Sequence, residues 1–566
     1  MKEAMTQSRI FPLMLLALSQ GSFAQLAPSF AQQPPTASTL LQQMPPAPTP
    51  QEAAPRFEVQ QPVAPDYAGQ DTATIVVKGL RVTGASAFSE ADLIAVTGFT
   101  PGSELTLTDL RAMAARIADF YHRNGYFVAQ AYLPAQDIRD GVVTIAVMDG
   151  QYGKVTLNNT SRVNDGLANS LLGGLNPGDP ITTAPLETRL LLLSDLPAVN
   201  VKSNLVPGAA PGTSDLIVDL TPGQRVTGSI DADNAGNRYT GAWRIGATIN
   251  FNEVFGQGDV ATLRAVTSGP GLTYVVGAYQ AQFGRAKVGV SYSHLQYSLI
   301  QEFESLQSHG TAQVASLYAS YPLIRSRNTN LNVGLAFNAK KFQDEIDTTG
   351  FVSDKRVNVA VASVFGDHRD RLGGGGLNSY ALSWSSGSVD LQTPSVQAFD
   401  AATAQTNGSY NKLAYSAARL QNVTDSFWLY GAINGQFASK NLDPSEKMEL
   451  GGMYAVRAYP EGEGYGDQGY VLTLEARYQL PKFSERMPGQ VQLIGFVDTG
   501  SVKTNMDPWT NGSNNRTLSG AGVGLTWMDV NNFSLRTYYA FKLGNGVTLS
   551  QPDASGRFWI QGVKYF

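Results

Sequence analysis

Residues that could carry covalent chemistry are few and scattered. His122, His294, His309 and His368 stand far apart, without the HxxxH or HxH spacing that holds a metal. His122 reads as a surface residue of a helix. Gly373 to Gly376 form a Gly run, but no Lys-Ser/Thr follows it, so it reads as a turn rather than a phosphate cradle. There is no G-x-S-x-G elbow. Glu461 and Glu463 read as loop charges before they read as an acid/base pair. The expectation is a protein that is not an enzyme, with no cofactor and no metal. What stands out instead is Val456-Arg457-Ala458-Tyr459-Pro460-Glu461-Gly462-Glu463-Gly464-Tyr465-Gly466-Asp467, a polar, Gly-rich loop with one conspicuous Arg. The strand directly after it alternates. Leu472, Leu474, Ala476 and Tyr478 take one side; Thr473, Glu475 and Arg477 take the other. A soluble sheet turns its apolar side to a core, whereas a membrane barrel turns it to lipid and keeps a wet lumen.

Composition favours the barrel. The chain has 566 residues, too many for one ordinary core. Charged residues make up 15%, low against the ~25% of average soluble proteins. The 57 Gly, 24 Tyr and 25 Phe point to all-β structure with many tight turns. A net charge of -5 without a Lys/Arg cluster argues against nucleic acid as a partner. Lys2 and Arg9, the apolar stretch 10–18 and Ser22-Phe23-Ala24 read as a secretory signal over 1–24. Cys is absent, which excludes a lipoprotein anchor, a disulfide framework and a Cys-bound metal. No later run of ~18 apolar residues suggests a spanning helix. An exported membrane protein without such helices is close to forced into a closed barrel, because lipid tolerates no unpaired backbone groups.

Four regions must position the loop. Residues 25–71 form a Pro-rich leader that includes Pro34, Pro35, Pro45, Pro46, Pro48, Pro50, Pro55, Pro62 and Pro65, an extended tether. Within it, 37–44 could turn helical with Leu40, Leu41 and Met44 on one side. Two readings stay open: a disordered leader, or a small plug or docking helix. Residues 72–150 read as a compact unit: strand 74–82, helix 89–96 capped by Ser89, helix 108–124, and strands 126–133 and 142–147. Residues 151–223 repeat the order β-α-α-β-β, with strand 154–157, helices 163–172 and 185–193, and strands 199–206 and 215–220. From 224 to 566, short alternating stretches recur between Gly, Asn, Asp and Pro. Val288, Val290 and Tyr292 alternate with Gly289, Ser291 and Ser293; Phe533, Leu535, Thr537, Tyr539 and Phe541 alternate with Ser534, Arg536, Tyr538 and Ala540. At roughly 20 residues per strand with its turn, this region predicts about 16 antiparallel strands. The chain closes on Trp559 to Phe566, an aromatic strand suited to sealing the barrel, with Phe566 last.

These features resemble a known family. Two small α/β units ahead of a ~16-stranded barrel look like the POTRA domains and pore of two-partner secretion transporters, the TpsB family of haemolysin secretion/activation type, within the POTRA-plus-barrel outer-membrane superfamily. Val456-Arg457-Ala458-Tyr459 matches the family's VRGY loop motif, and Gly466-Asp467 followed by Gly469 matches its continuation. Phe496-Val497-Asp498-Thr499-Gly500 matches the F-x-D-x-G strand motif. The segment from Asp233, Asn234, Ala235 and Gly236 through Tyr239 to Gly241 looks like the first barrel hairpin. Leu133-Pro134-Ala135-Gln136-Asp137 looks like the P-x-Q-D segment of the first POTRA domain. One position departs: Ala458 replaces the usual Gly, and Ala would be strained if the site needs positive φ.

The resemblance implies an outer-membrane pore with its POTRA domains in the periplasm. Those domains would capture an unfolded haemolysin- or adhesin-like exoprotein by strand addition, and the barrel would pass it outward. Outer-membrane lipid would surround the barrel, and the barrel assembly machinery would serve its biogenesis. Arg457 would meet Asp498 inside the lumen, a bidentate contact able to pin a long loop. Two other readings compete. A barrel assembly or insertion factor shares the loop motif and the terminal strand, but more POTRA repeats would favour it. A diffusion porin needs no folded docking domains.

Overall fold

The computed structural model describes residues 34–49 and 73–566. The expected signal segment and most of the leader lie outside those residues. Within the leader, α1 (Ala37–Gln42) is helical, ending short of the expected 37–44 stretch.

The first α/β unit contains β1 (Thr74–Val77), β2 (Gly79–Thr83), α2 (Glu90–Thr97), β3 (Ser103–Thr106), α3 (Leu107–Arg123), β4 (Gln130–Tyr132) and β5 (Val142–Met148). β5 is central, parallel to β2 and antiparallel to β4. α3 lays Leu110, Met113, Ala114, Ile117 and Tyr121 against Val82, Val143, Ile145 and Val147. Ser89 caps α2 as expected, accepting from the Asp92 N–H. Two expectations change. Strand 74–82 breaks at Lys78, because the N–H groups of Lys78 and Gly79 both turn to the Gly141 carbonyl. β1 then pairs with β3, a strand that the short stretch Ser103–Thr106 did not announce. Strand 126–133 shrinks to β4, since Tyr126 is held in an edge-on aromatic cluster with Phe88 and Tyr121 and Ala129 closes a turn back onto it.

The second unit contains β6 (Gln151–Asn159), α4 (Asp165–Leu172), α5 (Thr183–Ser194), β7 (Val199–Pro207) and β8 (Thr213–Pro222). β8 is parallel to β6 and antiparallel to β7, the same topology as β2, β5 and β4. Leu167, Leu171, Leu190 and Leu193 fill its core against Leu216 and Val218.

The remaining chain forms the barrel. Its strands run β9 (Val226–Asp233), β10 (Arg244–Asn252), β11 (Val260–Thr267), β12 (Leu272–Phe283), β13 (Ala286–Ser298), β14 (Ser308–Arg325), β15 (Thr329–Ile346) and β16 (Phe351–Asp370). β17 (Gly376–Leu391), a loop helix α6 (Pro394–Ala402), β18 (Gly408–Thr424) and β19 (Phe427–Ala438) follow. A long connection holds the two-residue partners β20 (Met448–Glu449) and β21 (Tyr465–Gly466). β22 (Gln468–Gln479), β23 (Gln490–Lys503), β24 (Asn515–Asp529), β25 (Phe533–Lys542) and β26 (Gly556–Tyr565) complete it. Leaving out β20 and β21, the strands from β9 to β26 make one closed sheet of 16, each antiparallel to its neighbours. β26 returns to β9 from Gln561↔Asp233 to Tyr565↔Ser229, and Gly228 and Phe566 exchange both backbone bonds just beyond. Alternation sets the sides: Val290, Tyr292, Leu474, Tyr539 and Phe541 point outward, while Glu475 and Ala540 are buried within. No described helix is long and apolar enough to cross a membrane; the strands do so.

The second unit is bolted to two barrel turns. Arg325, at the end of β14, grips Asp195 with two 2.7 Å bonds, and Arg327 pairs with Glu187 at 2.9 Å. At the β10–β11 turn, the Asn164 N–H donates to the Gly256 carbonyl. Glu253 in that turn is 1% exposed, and neither of its carboxylate oxygens has a side-chain hydrogen-bond partner. Burial first, then the neighbouring Asp259, push its pKa up to about 7, against the pull of Arg162 from the second unit. A carboxyl raised on folding favours the folded turn most below its unfolded pKa and loses that contribution as pH climbs through the folded one. The protection factor of the Asn164 amide, its exchange rate taken relative to the intrinsic rate at the same pH, should therefore rise on acidification from about pH 8 to about pH 5. Glu253→Gln should flatten that dependence, and an unchanged slope in the variant would remove Glu253 as its source.

Candidate functional site: a loop held inside the barrel

The connection from β19 to β22 folds into the lumen. Val456, Arg457, Ala458 and Tyr459 are all buried, packed with Val471, Ile494, Phe496, Leu518 and Ala540 of β22 to β25. Arg457 is the centre of this contact. Its Nε and Nη2 donate to the two oxygens of Asp498, each at 2.8 Å, and its backbone N–H adds a third bond at 3.2 Å. Nη1 donates to Glu475 at 2.8 Å. The guanidinium lies 3.5 Å from the Phe496 ring centroid and 4.9 Å from that of Tyr538. The Arg457 carbonyl accepts from Trp559 Nε1 at 2.7 Å. Thr473 donates to Asp498 at 3.0 Å and Arg477 Nε to Glu475 at 2.8 Å. The fork of the guanidinium is thus matched by two carboxylates and flanked by aromatic faces, an arrangement a Lys could not reproduce.

Phe496, Asp498 and Glu475 reach the lumen because β22 and β23 alternate, so every second residue is delivered inward. The sequence pairing of Arg457 with Asp498 thus has a geometric counterpart. Glu475, Trp559 and Tyr538 went unassigned. Alternation put Glu475 on the polar face, but nothing local told which loop residue it would meet. Ala458 has no positive φ, so the expected strain is absent. Its methyl instead faces Gly520 on β24, where an added Cβ would collide with it. Tyr459 is buried and its hydroxyl donates to the Gly546 carbonyl at 3.2 Å.

Gly466 lies in β21, opposite Met448. Asp467, wholly buried, gathers both limbs of the connection and an outer loop. It accepts from the Leu442 N–H at 3.0 Å and the Met506 N–H at 2.6 Å, and pairs with Lys447 at 3.0 Å. Glu463, expected only as a loop charge, accepts from Leu549 and Ser550 N–H groups and pairs with Arg516.

The first-hairpin residues perform two tasks. Asn234 zips the barrel seam past the end of the β9–β26 register: its side chain donates to the Phe558 carbonyl at 2.9 Å and accepts from the Ile560 N–H at 2.8 Å. Asp233 accepts from Arg244 Nε at 2.9 Å, and Arg244 Nη1 donates to the Gln43 carbonyl at 2.8 Å. Gly236 closes the hairpin onto Ala242, and Tyr239 packs in one cluster with Ala37 and Leu40. The hairpin therefore holds the end of α1. The helix sits within the lumen, with Leu40 fully buried and the Ala37 N–H donating to Asp344 of β15 at 2.7 Å. Residues 37–42 are thus helical and packed inside the lumen.

Pro134 and Gln136 lie far from the lumen. The Gln136 amide pairs with both backbone groups of Thr144, at 2.8 and 2.7 Å, covering β5 where β4 has already ended. The role of this segment is structural at its own sheet edge. Among the described residues, His309, Glu345 and Asp347 are the group whose ligand atoms gather as a metal would require. They sit partly exposed at the outer rim, away from the loop.

The family described as haemolysin secretion/activation protein ShlB/FhaC/HecB matches residues 212–527. This chain belongs to that family. A POTRA domain of ShlB type matches residues 75–150. The heme/hemopexin transporter protein HuxB of Haemophilus influenzae (strain 86-028NP) is 28% identical over 474 residues, 82% of each chain. The outer membrane transporter CdiB of Dickeya dadantii is 23% identical over 477 residues, again 82% of each. The solved structure of CdiB from Escherichia coli superposes with a TM-score of 0.67 at 20% identity, covering 89% of this chain and 93% of that one; it shares the fold. The chain is an outer-membrane transporter with a closed 16-stranded barrel. Its matched relatives are transporters rather than enzymes.

Arg457→Ala would leave Asp498 buried without its cation and Glu475 with Arg477 alone, a cost of about 3–5 kcal/mol for a well-buried pair, less where lumenal water reaches it. Gly520→Val would press the same loop from the other side, at about 1–3 kcal/mol. Both variants should raise single-channel conductance in planar bilayers while the barrel keeps its heat-dependent gel migration. Conductance equal to the parent in both would show that these contacts do not hold the loop.

Proposed function

We propose that the transporter serves one dedicated exoprotein, captured unfolded in the periplasm by the two α/β units and passed through the lumen. The observation that carries this reading is the pairing of a filled lumen with folded docking domains. A diffusion porin would need neither. Both units leave an outer strand free, β4 in one sheet and β7 in the other. An extended segment can add there, with backbone bonds giving affinity and alternate side chains giving choice. Lumenal α1 and the long connection then have to yield before a chain can pass. Folding of the partner outside supplies direction. The cargo class is haemolysin- or adhesin-like; the relatives' names span a heme/hemopexin transporter and CdiB, so cargo differs within the family. The barrel itself sits in outer-membrane lipid and is inserted by the barrel assembly machinery. Arg457, Tyr459, Asp467 and Asp498 act together in this account as the fastening of the loop.

A barrel-insertion role would use the seam, which is the shortest strand pairing of the barrel, from Gln561↔Asp233 to Tyr565↔Ser229. Asn234 extends it on the outer side. A photo-crosslinking residue at exposed Asn204 on β7 separates the readings. One secreted polypeptide should be trapped there; a set of other barrel proteins would overturn the secretion reading. Arg457→Ala should lower export of that polypeptide by more than about tenfold with the barrel still in the membrane, and unchanged export would take the loop fastening out of the transport cycle.

A further inference from the structure

Beyond the Arg457 contact, the lumenal wall carries Lys340 on β15, Lys355 on β16 and Lys412 on β18. All three meet one turn of the long connection, Asp443-Pro444-Ser445-Glu446-Lys447. Lys340 and Lys412 hold the two oxygens of Glu446 at 2.6 and 2.8 Å. Lys355 holds Asp443 at 2.7 Å. Lys412 also donates to the Glu446 carbonyl at 3.0 Å, and Gln436 to the same carbonyl at 3.1 Å. Asp443 braces the turn from within by accepting from the Ser445 N–H at 2.9 Å. Asp443 is 3% and Glu446 4% exposed. The far side of the turn touches the helix: Gln42 donates to the Pro444 carbonyl at 2.8 Å, and Leu442 shares a cluster with Ala37 and Leu40.

Carboxylates buried this deeply need their cations. A turn that brought two acids to an apolar wall would be expelled. Here the three ammonium groups make the docked position favourable. This contact shares no residue with the cluster around Arg457, which lies against β22 to β26. We propose that Asp443 and Glu446 form a second latch: with the lysine wall they position the ascending limb of the connection, and α1 resting on it, independently of Arg457. On the reading that cargo crosses this lumen, opening takes two separate releases. Departure of α1 takes the Gln42 bond from this latch and leaves the Arg457 contact whole.

The absence of Cys from the chain makes a direct test available. Ser445 is 7% exposed, so Ser445→Cys places a single small thiol in the latch. Its labelling by a membrane-impermeant maleimide, on the full chain in outer-membrane vesicles, reads the latch without any partner protein. Labelling should be slow in that background. Asp443→Asn with Glu446→Gln should accelerate it about tenfold, and so should Lys340→Gln with Lys412→Gln. Lys355→Arg, which keeps the charge, should leave it slow. Arg457→Ala should leave it slow as well. Equal rates in the neutralised and parent chains would overturn the latch, and fast labelling in Arg457→Ala would overturn its independence. Neither result depends on whether an exoprotein is secreted.

Discussion

A guanidinium taken out of bulk water has to be met by carboxylates, or the segment that bears it will not stay. Arg457 meets two, from adjacent strands, and its flat face is covered by Phe496 and Tyr538. The packing of the loop against β22 to β26 depends on this satisfaction. It fixes where Val456 and Tyr459 pack, places Ala458 against Gly520, and brings the Arg457 carbonyl to Trp559 on the closing strand. One side chain thereby ties the long connection to the wall next to the seam. A barrel of sixteen strands is wide enough to be a channel, and the loop is what keeps this one filled.

The fastening is distributed. Asp467 and Glu463 tie the connection to outer loops, the first hairpin grips the end of α1, and the lysine wall grips the ascending limb. Each contact is specific in direction and built from groups that water would solvate well. Beneath the membrane, the second unit is attached through Arg325–Asp195 and the turn containing Glu253. The second unit and the barrel are thus joined by short polar contacts at two turns.

Much of this was legible in the sequence because it is periodic or local. The dyad alternation of Val288 to Ser293 and of Phe533 to Phe541 announced lipid-facing strands, and Ser89 and the Leu110 to Tyr121 spacing announced the capped helices. The motif residues Arg457 and Asp498 carried the pairing by resemblance. What stayed hidden was non-local. Lys340 meets Glu446 across a long stretch of chain, and its neighbours on β15 give no sign of it. Gln136 imitates a missing strand for Thr144, a role visible only once β4 is seen to stop early. The burial of α1 depends on a lumen that other residues build. The splitting of strand 74–82 follows from a carbonyl at Gly141, which no property of the strand itself encodes.

Dedicated export through this barrel is directly testable. The most direct test compares the producing strain with and without this chain, taking the culture supernatant and the outer-membrane proteome together. The account predicts loss of one large exoprotein from the supernatant with the other outer-membrane barrels intact. Broad depletion of those barrels, or no change in either fraction, would contradict it.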